Sequence, residues 1–292
     1  MTSGPVDAQV NLRPGSPADA DVCGRMFFEA FEKIAAQHNF PPDVPSVEAG
    51  IDLIGMLLAH PHFFSVVAEL DGKVVGSNFL DERSRIAGLG PITVDPKVQN
   101  RHIGRQLMKA ALGRASEKNH AGVRLLQSAY HTRSLALYAS LGFKVREGIA
   151  CVQGVPIGTS LPAYPVRPAQ ERDLEACDSI CRFVHGHDRH GEVLDAVAQG
   201  TARVVEHDGR ITGYATDLGF FGHAVAETNR DLIALIGTAS AFSGPGILLP
   251  LRNSQLLHWC LSQRLRVVQL MTLMTRGLYN EPAGAYLPSV LY

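Results

Sequence analysis

The stretch Ile92-Thr93-Val94-Asp95-Pro96-Lys97-Val98-Gln99-Asn100-Arg101-His102-Ile103-Gly104-Arg105-Gln106-Leu107-Met108 constrains this chain more than any other. Ile92, Thr93 and Val94 are strand formers, and Pro96 cannot continue a ladder because it has no N–H. From Arg105 onward, Leu107, Met108, Ala111 and Leu112 recur at helical spacing. The stretch therefore predicts a strand, a short basic loop and the start of a helix. The first turn of a helix leaves N–H groups without intrahelical acceptors and carries the positive end of the dipole. Gly104 permits close backbone approach there, and Arg101 and Arg105 flank it. Such a place suits a pyrophosphate; the plain alternative is an ordinary joint with solvated arginines.

On these residues, Gln99 to Met108 resembles the acetyl-CoA loop of the GNAT acyltransferase superfamily, whose pattern is Gln/Arg-x-x-Gly-x-Gly/Ala between a strand and a helix. Gln99, Gly104 and Leu107 match, while His102 stands where the first glycine is usual.

The 292 residues, 46% of them hydrophobic, suffice for a large core and favour two domains over one. A net charge of -1 provides no global field for nucleic acid or membrane. Cys23, Cys151, Cys177, Cys181 and Cys260 are scattered and odd in number, which suits a reducing compartment. Cys177 and Cys181 read as two small residues on one buried helix face, and no metal site is expected. Met1 to Ala8 lack the basic and apolar segments of a signal peptide, and no apolar run reaches membrane-spanning length. A cytoplasmic location is expected.

In order along the chain, Val10 to Pro14 reads as a first strand and Asp19 opens a helix with Val22, Met26, Phe27, Ala30, Phe31 and Ile34 on one face. Ser46 is placed to cap a second helix bearing Ile51, Ile54, Leu57 and Leu58. Phe63–Leu70 and Val74–Leu80 read as a hairpin about Asp71-Gly72, and Ile86–Val94 as a third strand. The helix from Gly104 runs to about Lys118, a strand covers Val123–Ala129, a short helix Thr132–Leu141, and a last strand Phe143–Gln153.

That short helix carries a second likeness. GNAT enzymes typically end Asn-x-x-Ala-x-x-Leu-Tyr-x-x-x-Gly-Phe; here Leu137-Tyr138 and Gly142-Phe143 match, with His131 and Ser134 in the asparagine and alanine places. The resemblance spans Val10 to Gln153. It implies that the Ile92–Thr93–Val94 backbone holds the pantetheine arm and the acetyl carbonyl. It implies that Gln99, Asn100, Arg101, His102, Ile103, Gly104, Arg105 and Gln106 hold the pyrophosphate, with His131 and Ser134 also on the cofactor. Tyr138 is implied as the general acid for the departing thiolate. A tyrosine of ordinary pKa, about 10, is protonated at neutral pH; the alternative for Tyr138 is a core aromatic. Asp81, Glu82 and Glu69 are candidates for a base, none of them compelling. His60 and His62 flank a proline without a partner at metal-ligand spacing.

Residues 156–165 have linker composition, and the chain beyond them repeats the plan. Val166-Arg167-Pro168 mirrors Leu12-Arg13-Pro14, and Asp208-Gly209 mirrors Asp71-Gly72. Helices are expected from Asp173, over Asp231–Phe242 and over Ser254–Arg264, and strands over Ala202–Glu206, Ile211–Thr216, Phe220–Ala226, Gly246–Pro250 and Val267–Met274. The loop place holds Glu227-Thr228-Asn229-Arg230-Asp231, without the glycine pattern and acidic at both ends. Arg182, His185, His187, Asp188, Arg189 and His190 read as a solvated loop, Trp259 as core, and the tail from Tyr286 as packed on the body.

The fold class expected is therefore α/β, with a mixed sheet and two tandem GNAT-like acyl-CoA N-acyltransferase domains: 1–155 with the cofactor loop, a linker at 156–165, and a degenerate copy at 166–292. The resemblance implies an N-acetyltransferase that moves an acetyl group from acetyl-CoA to a small-molecule amine, with a homodimer left open. The alternative is a non-catalytic acyl-CoA-binding or regulatory protein of the same fold.

Overall fold

The computed structural model describes residues 10–291; the expectations about Met1–Ala8 and the final residue of the tail lie outside them. In chain order the first half contains β1 (Asn11–Pro14), α1 (Ala20–Gln37), α2 (Val47–Ala59), β2 (Phe63–Leu70), β3 (Lys73–Asp81), β4 (Ile86–Leu89), β5 (Thr93–Val94), α3 (Ile103–Glu117), β6 (Gly122–Ser128), α4 (Thr132–Ser140) and β7 (Lys144–Gln153). The second half contains β8 (Val166–Pro168), α5 (Leu174–His185), α6 (His190–Ala198), β9 (Arg203–His207), β10 (Arg210–Ala215), β11 (Ala224–Ala226), α7 (Asn229–Gly237), β12 (Ile247–Pro250), α8 (Ser254–Ser262), β13 (Arg266–Gly277) and β14 (Ala285–Leu287). Residues 156–165 contain no helix or strand.

Two compact units result, one ending at Glu82 and resuming over Leu89–His120, the other made of Arg83–Gly88 and the chain from Ala121 onward. In the first unit β1, β2, β3 and β5 pair antiparallel in that order. Strand alternation sorts β2 between two cores. Val66, Ala68 and Leu70 pack with Ile103 and Leu107 of α3, whereas Val67 joins Phe27, Ile54, Leu57 and Phe79 beneath α1 and α2. α1 and α2 cross where Gly24 meets Gly50; a Cβ on Gly24 would lie 2.4 Å from Ile51 Cα. Ser46 caps α2 as expected, its Oγ accepting from Ala49 N–H at 3.2 Å. The Ile86–Val94 strand is instead two short strands, because Gly90 has φ +133° and Pro91 has no N–H for a ladder.

The second unit holds two sheets. One runs β4-β6-β13-β7-β12, the other β14-β11-β10-β9-β8. β13 is antiparallel to both β6 and β7, so β6 and β7 are parallel to each other with α4 as their crossover. β7 is antiparallel to both β12 and β13, so those two are also parallel, with α8 as their crossover. Each βαβ unit has thus received the last strand of the other between its own strands. α6 and β14 had no counterpart in the sequence expectation, and β11 and α7 are shorter than Phe220–Ala226 and Asp231–Phe242.

The repeat extends to side chains. Arg13 bonds Asp19 at 2.7 and 2.8 Å and Glu69 at 2.7 Å; Arg167 bonds Asp173 at 2.6 and 3.0 Å and Glu206 at 2.7 Å. Each aspartate also closes a turn, Asp19 accepting from Ser16 N–H and Asp173 from Gln170 N–H. The hairpin turns match as well, with φ of 52° and 73° at Asp71 and Gly72 and 51° and 75° at Asp208 and Gly209.

Arg13, more than any other neighbour, holds the Asp19 carboxyl down at about 2, against burial, which raises it. A carboxyl depressed in the folded state contributes stability that is present above its unfolded pKa and disappears as pH falls through its folded one. Discounted for the partial exposure of Arg13, Asp19→Asn is expected to cost about 1–2 kcal/mol at pH 7. The gap to the parent protein should shrink between about pH 4 and pH 2. Urea unfolding at a series of pH values measures this, and a pH-independent gap would contradict it.

Candidate functional site

The expected loop lies in the first unit. Asp95 N–H donates to Val75 O at 2.9 Å, which places Ser77 and Thr93 in the next hydrogen-bonded pair of the β3–β5 ladder. Val94, opposite Gly76, consequently turns its N–H and C=O away from β3. Among the described residues β5 pairs with β3 alone. Gly76 is required here: a Cβ would stand 2.9 Å from both Leu107 Cδ1 and Thr93 O. Thr93 is buried, with its Oγ1 lacking a hydrogen-bond partner among the described residues. Ile92 is half-buried just before it.

Asp95 then makes the turn, accepting from Lys97 N–H through its side chain at 2.8 Å and from Val98 N–H through its carbonyl at 3.0 Å. Gln99, Asn100 and Arg101 lead to His102, the N-cap of α3. Asn100 (φ 71°) and His102 (φ 59°) both take the left-handed conformation. The histidine in the glycine place thus adopts the backbone that a glycine would supply. Alternation of left-handed residues into a helix start turns successive N–H groups toward one side, an anion-binding arrangement. Ile103 is buried under β2 and β3 and fixes the helix, leaving Gly104, Arg105 and Gln106 as the rest of its first turn. No side chain caps α3 and no acid lies in its first turn. Arg105 there works against the dipole by roughly 0.3–1 kcal/mol, a cost that a bound anion reverses.

The corresponding helix of the second half is closed. α7 has Thr228 as N-cap and Asp231 in its first turn, each bonding the other's backbone. The Asp231 carboxylate takes Thr228 N–H at 3.0 Å and Thr228 Oγ1 at 2.6 Å, and also Thr212 Oγ1. The outer edge of β11 is paired with β14, Ala224 with Leu287, Val225 with Tyr286 and Ala226 with Ala285. An acid already sits at the positive end of α7, and the chain's own C-terminal strand uses the free edge.

His131, Ser134 and Tyr138 lie in the second unit, on α4. His131 is the N-cap and makes no side-chain cap bond. Ser134 Oγ donates to His131 O at 2.8 Å and lies 3.0 Å from Gln127 Oε1. Gln127, not singled out from sequence, is 5% exposed with its Nε2 unbonded among the described residues; only its place at the end of β6 marked it. Tyr138 is buried, and burial pushes its phenol above the ordinary tyrosine range. It packs 6.2 Å from Phe143. Cys260 on α8 stands in the corresponding place of the second half, its thiol pushed up to about 12 by burial.

The three carboxylates considered as bases are engaged. Glu69 is held by Arg13, Glu82 by Arg114 at 2.6 and 2.9 Å, and Asp81 is 5% exposed. Of the residues read as a solvated loop, Arg182 and His190 are exposed, whereas His185, His187 and Arg189 are buried. α5 ends at His185 with left-handed Gly186 as its C-cap, and the short connection to α6 buries His187 and Arg189, as the end of α5 buries His185. Arg189 Nε bonds Glu192 at 2.8 Å and His190 Nδ1 lies 2.6 Å from Asp178. Burial, with His187 beside it, drives the His185 imidazole well below its ordinary pKa. Trp259 is partly buried against the α7–α8 core, and Cys177 and Cys181 are both fully buried in α5.

Residues 60–145 match the family model described as Acetyltransferase (GNAT) domain. No curated protein matches the sequence. Among solved structures, the chain is similar to a candidate acetyltransferase from Pyrococcus horikoshii at 17% identity, covering 94% of each chain with a TM-score of 0.73. It is also similar to a GCN5-related N-acetyltransferase from Sphaerobacter thermophilus (14% identity, 93% of this chain and 96% of that one, TM-score 0.60). A tandem GNAT protein from the clavulanic acid biosynthesis pathway shares the fold at 14% identity over 96% of this chain and 100% of its own, TM-score 0.54. At these identities the likeness is one of fold, and that fold is the tandem GNAT arrangement over nearly the whole chain.

A β-branched residue tolerates the left-handed region poorly, so His102→Val is expected to lose about 1–2 kcal/mol. His102→Gly should stay within about 1 kcal/mol of the parent. Urea denaturation of the two variants checks the loop backbone, and a valine variant as stable as the parent would refute it.

Proposed function

We propose that this chain, a tandem member of the GNAT superfamily, transfers an acetyl group from acetyl-CoA to the amine of a small-molecule acceptor, holding the co-substrate with its N-terminal half. The observation that carries the reading is the start of α3: two left-handed residues, no cap, no acid and two arginines. It fits a pyrophosphate, whose charge would meet the first-turn amides, with Arg101 and Arg105 adding charge-assisted bonds.

Acetyl-CoA supplies the acyl group as a thioester. The outward N–H of Val94 is the donor assigned to the acyl oxygen as it gains charge, and the neighbouring β5 backbone is assigned to the pantetheine arm. Tyr138 is assigned the proton for the departing sulfur; a phenol raised by burial keeps that proton at neutral pH. His131 and Ser134 are assigned to orienting the co-substrate. No side chain is assigned as base, because Glu69 and Glu82 are already held by arginines, and the amine proton is given to water. No helix among the described residues is long and apolar enough to cross a membrane. The five buried, unbridged cysteines suit the reducing cytoplasm, where we place the protein.

Thiol release from acetyl-CoA, measured against a panel of small amines, tests the proposal. Tyr138→Phe should lower kcat by about 100-fold, with CoA affinity unchanged within about threefold. Calorimetry should find one CoA per chain, since Asp231 closes the second helix start and β14 takes the edge of β11. An unchanged kcat removes Tyr138 from its role. CoA binding without any accepted amine favours the non-catalytic reading, and two CoA per chain refutes the account of the second half.

A further inference from the structure

Arg146, in the second unit, has no part in the transfer chemistry, yet its guanidinium is held in a fixed pose. It leaves β7 just after the end of α4, where Phe143 N–H bonds Tyr138 O at 3.1 Å. Its Nε is spent on Thr275 Oγ1 at 2.8 Å, and Thr275 is 1% exposed. Its Cζ lies 4.6 Å from the centre of the Tyr279 ring. These two contacts anchor the guanidinium, and its Nη pair makes no hydrogen bond or ion pair among the described residues. The buried guanidinium of Arg124 lies 5.2 Å from the centre of the same ring. Tyr279 therefore packs against two cations, is half-buried, and its hydroxyl makes no hydrogen bond among the described residues. The acids that face this ring are committed elsewhere: Glu281 to Arg252 at 2.7 Å, and Glu147 to Arg252 at 3.0 Å and Tyr286 OH at 2.8 Å.

A planar fork held by stacking and one anchor is the geometry that recognises a carboxylate, and a phenol hydroxyl beside it supplies a third donor. The second cation, the buried Arg124, makes the place more positive. We propose that Arg146 and Tyr279 bind a carboxylate of the acceptor, so that the amine acetylated belongs to an amino-acid-like molecule. This rests on the acyl-transfer reading and narrows its substrate class. One guanidinium fork and one hydroxyl match the two coplanar oxygens of a carboxylate.

The test compares acceptors in pairs: amino acids against their primary amides, and phosphoethanolamine against ethanolamine. The parent protein is expected to favour the carboxylates by about 10- to 100-fold in kcat/KM. Arg146→Gln should erase that preference through the acceptor KM, with the acetyl-CoA KM and thermal unfolding unchanged; Arg146→Lys should recover part of it. Tyr279→Phe should lose a smaller share. A preference that survives in Arg146→Gln, or one absent from the parent, overturns the proposal, as does a phosphate preference exceeding the carboxylate one. If no amine is acetylated, calorimetry with N-acetylglycine and N-acetylglycinamide decides. Selective binding of the acid that Arg146→Gln abolishes sustains the carboxylate site while the transfer reading falls. Equal or no binding of the two sinks the site as well.

Discussion

The second unit depends on β13 lying between β6 and β7. Neighbouring strands are about 4.8 Å apart, so one inserted strand sets β6 and β7 about 10 Å from each other. α4 must bridge that gap, and Tyr138 rides on α4. The position of the proposed proton donor is thus set by a strand more than a hundred residues downstream in sequence. The reverse holds for β7, which separates β12 from β13 and so sets the span of α8. Removing either inserted strand would expose two ladders of unpaired N–H and C=O groups at once. The two halves of the chain are duplicates that cannot complete their βαβ units independently.

The two halves share their plan and differ in the electrostatics of their helix starts. The Arg–Asp–Glu triads and the Asp-Gly turns are retained in both, because each holds a strand start or a hairpin register that the fold needs. The helix starts have parted. α3 opens on left-handed His102 with positive side chains and no cap, whereas α7 is sealed by Thr228 and Asp231. A capping box is the more stable way to begin a helix, by about 1 kcal/mol. α3 lacks that gain and carries an arginine where the dipole disfavours one. Loss of stability at one helix start, alongside an optimised start at its counterpart, is what the anion site proposed at α3 predicts.

The interior of the second unit shows why polar residues resist reading from sequence. His185, His187, Arg189, Glu192 and His223 are all buried, a placement that water would oppose unless each polar atom found a partner. Glu192 compensates Arg189 and Asp178 meets His190, while burial keeps the His185 and His223 imidazoles neutral. The network is assembled from α5, the connection to α6, α6 itself and the residue before β11, and no local pattern announces it.

Features that depend on a few consecutive residues were legible in the sequence. The Asp71-Gly72 and Asp208-Gly209 turns, the Ser46 cap, the strand–loop–helix at Ile92–Met108 and the acidic replacement at Glu227–Asp231 all follow from local backbone preference and short-range hydrogen bonding. The repeat was visible for the same reason. What required the tertiary structure was every choice among distant partners: β13 between β6 and β7, β14 on β11, the inward turn of His185–Arg189, and Arg146 pinned to Thr275 and Tyr279. A strand's own residues specify that it will pair and which face it buries, but not which neighbour it takes, because that is settled by the competing contacts of segments far away in the chain.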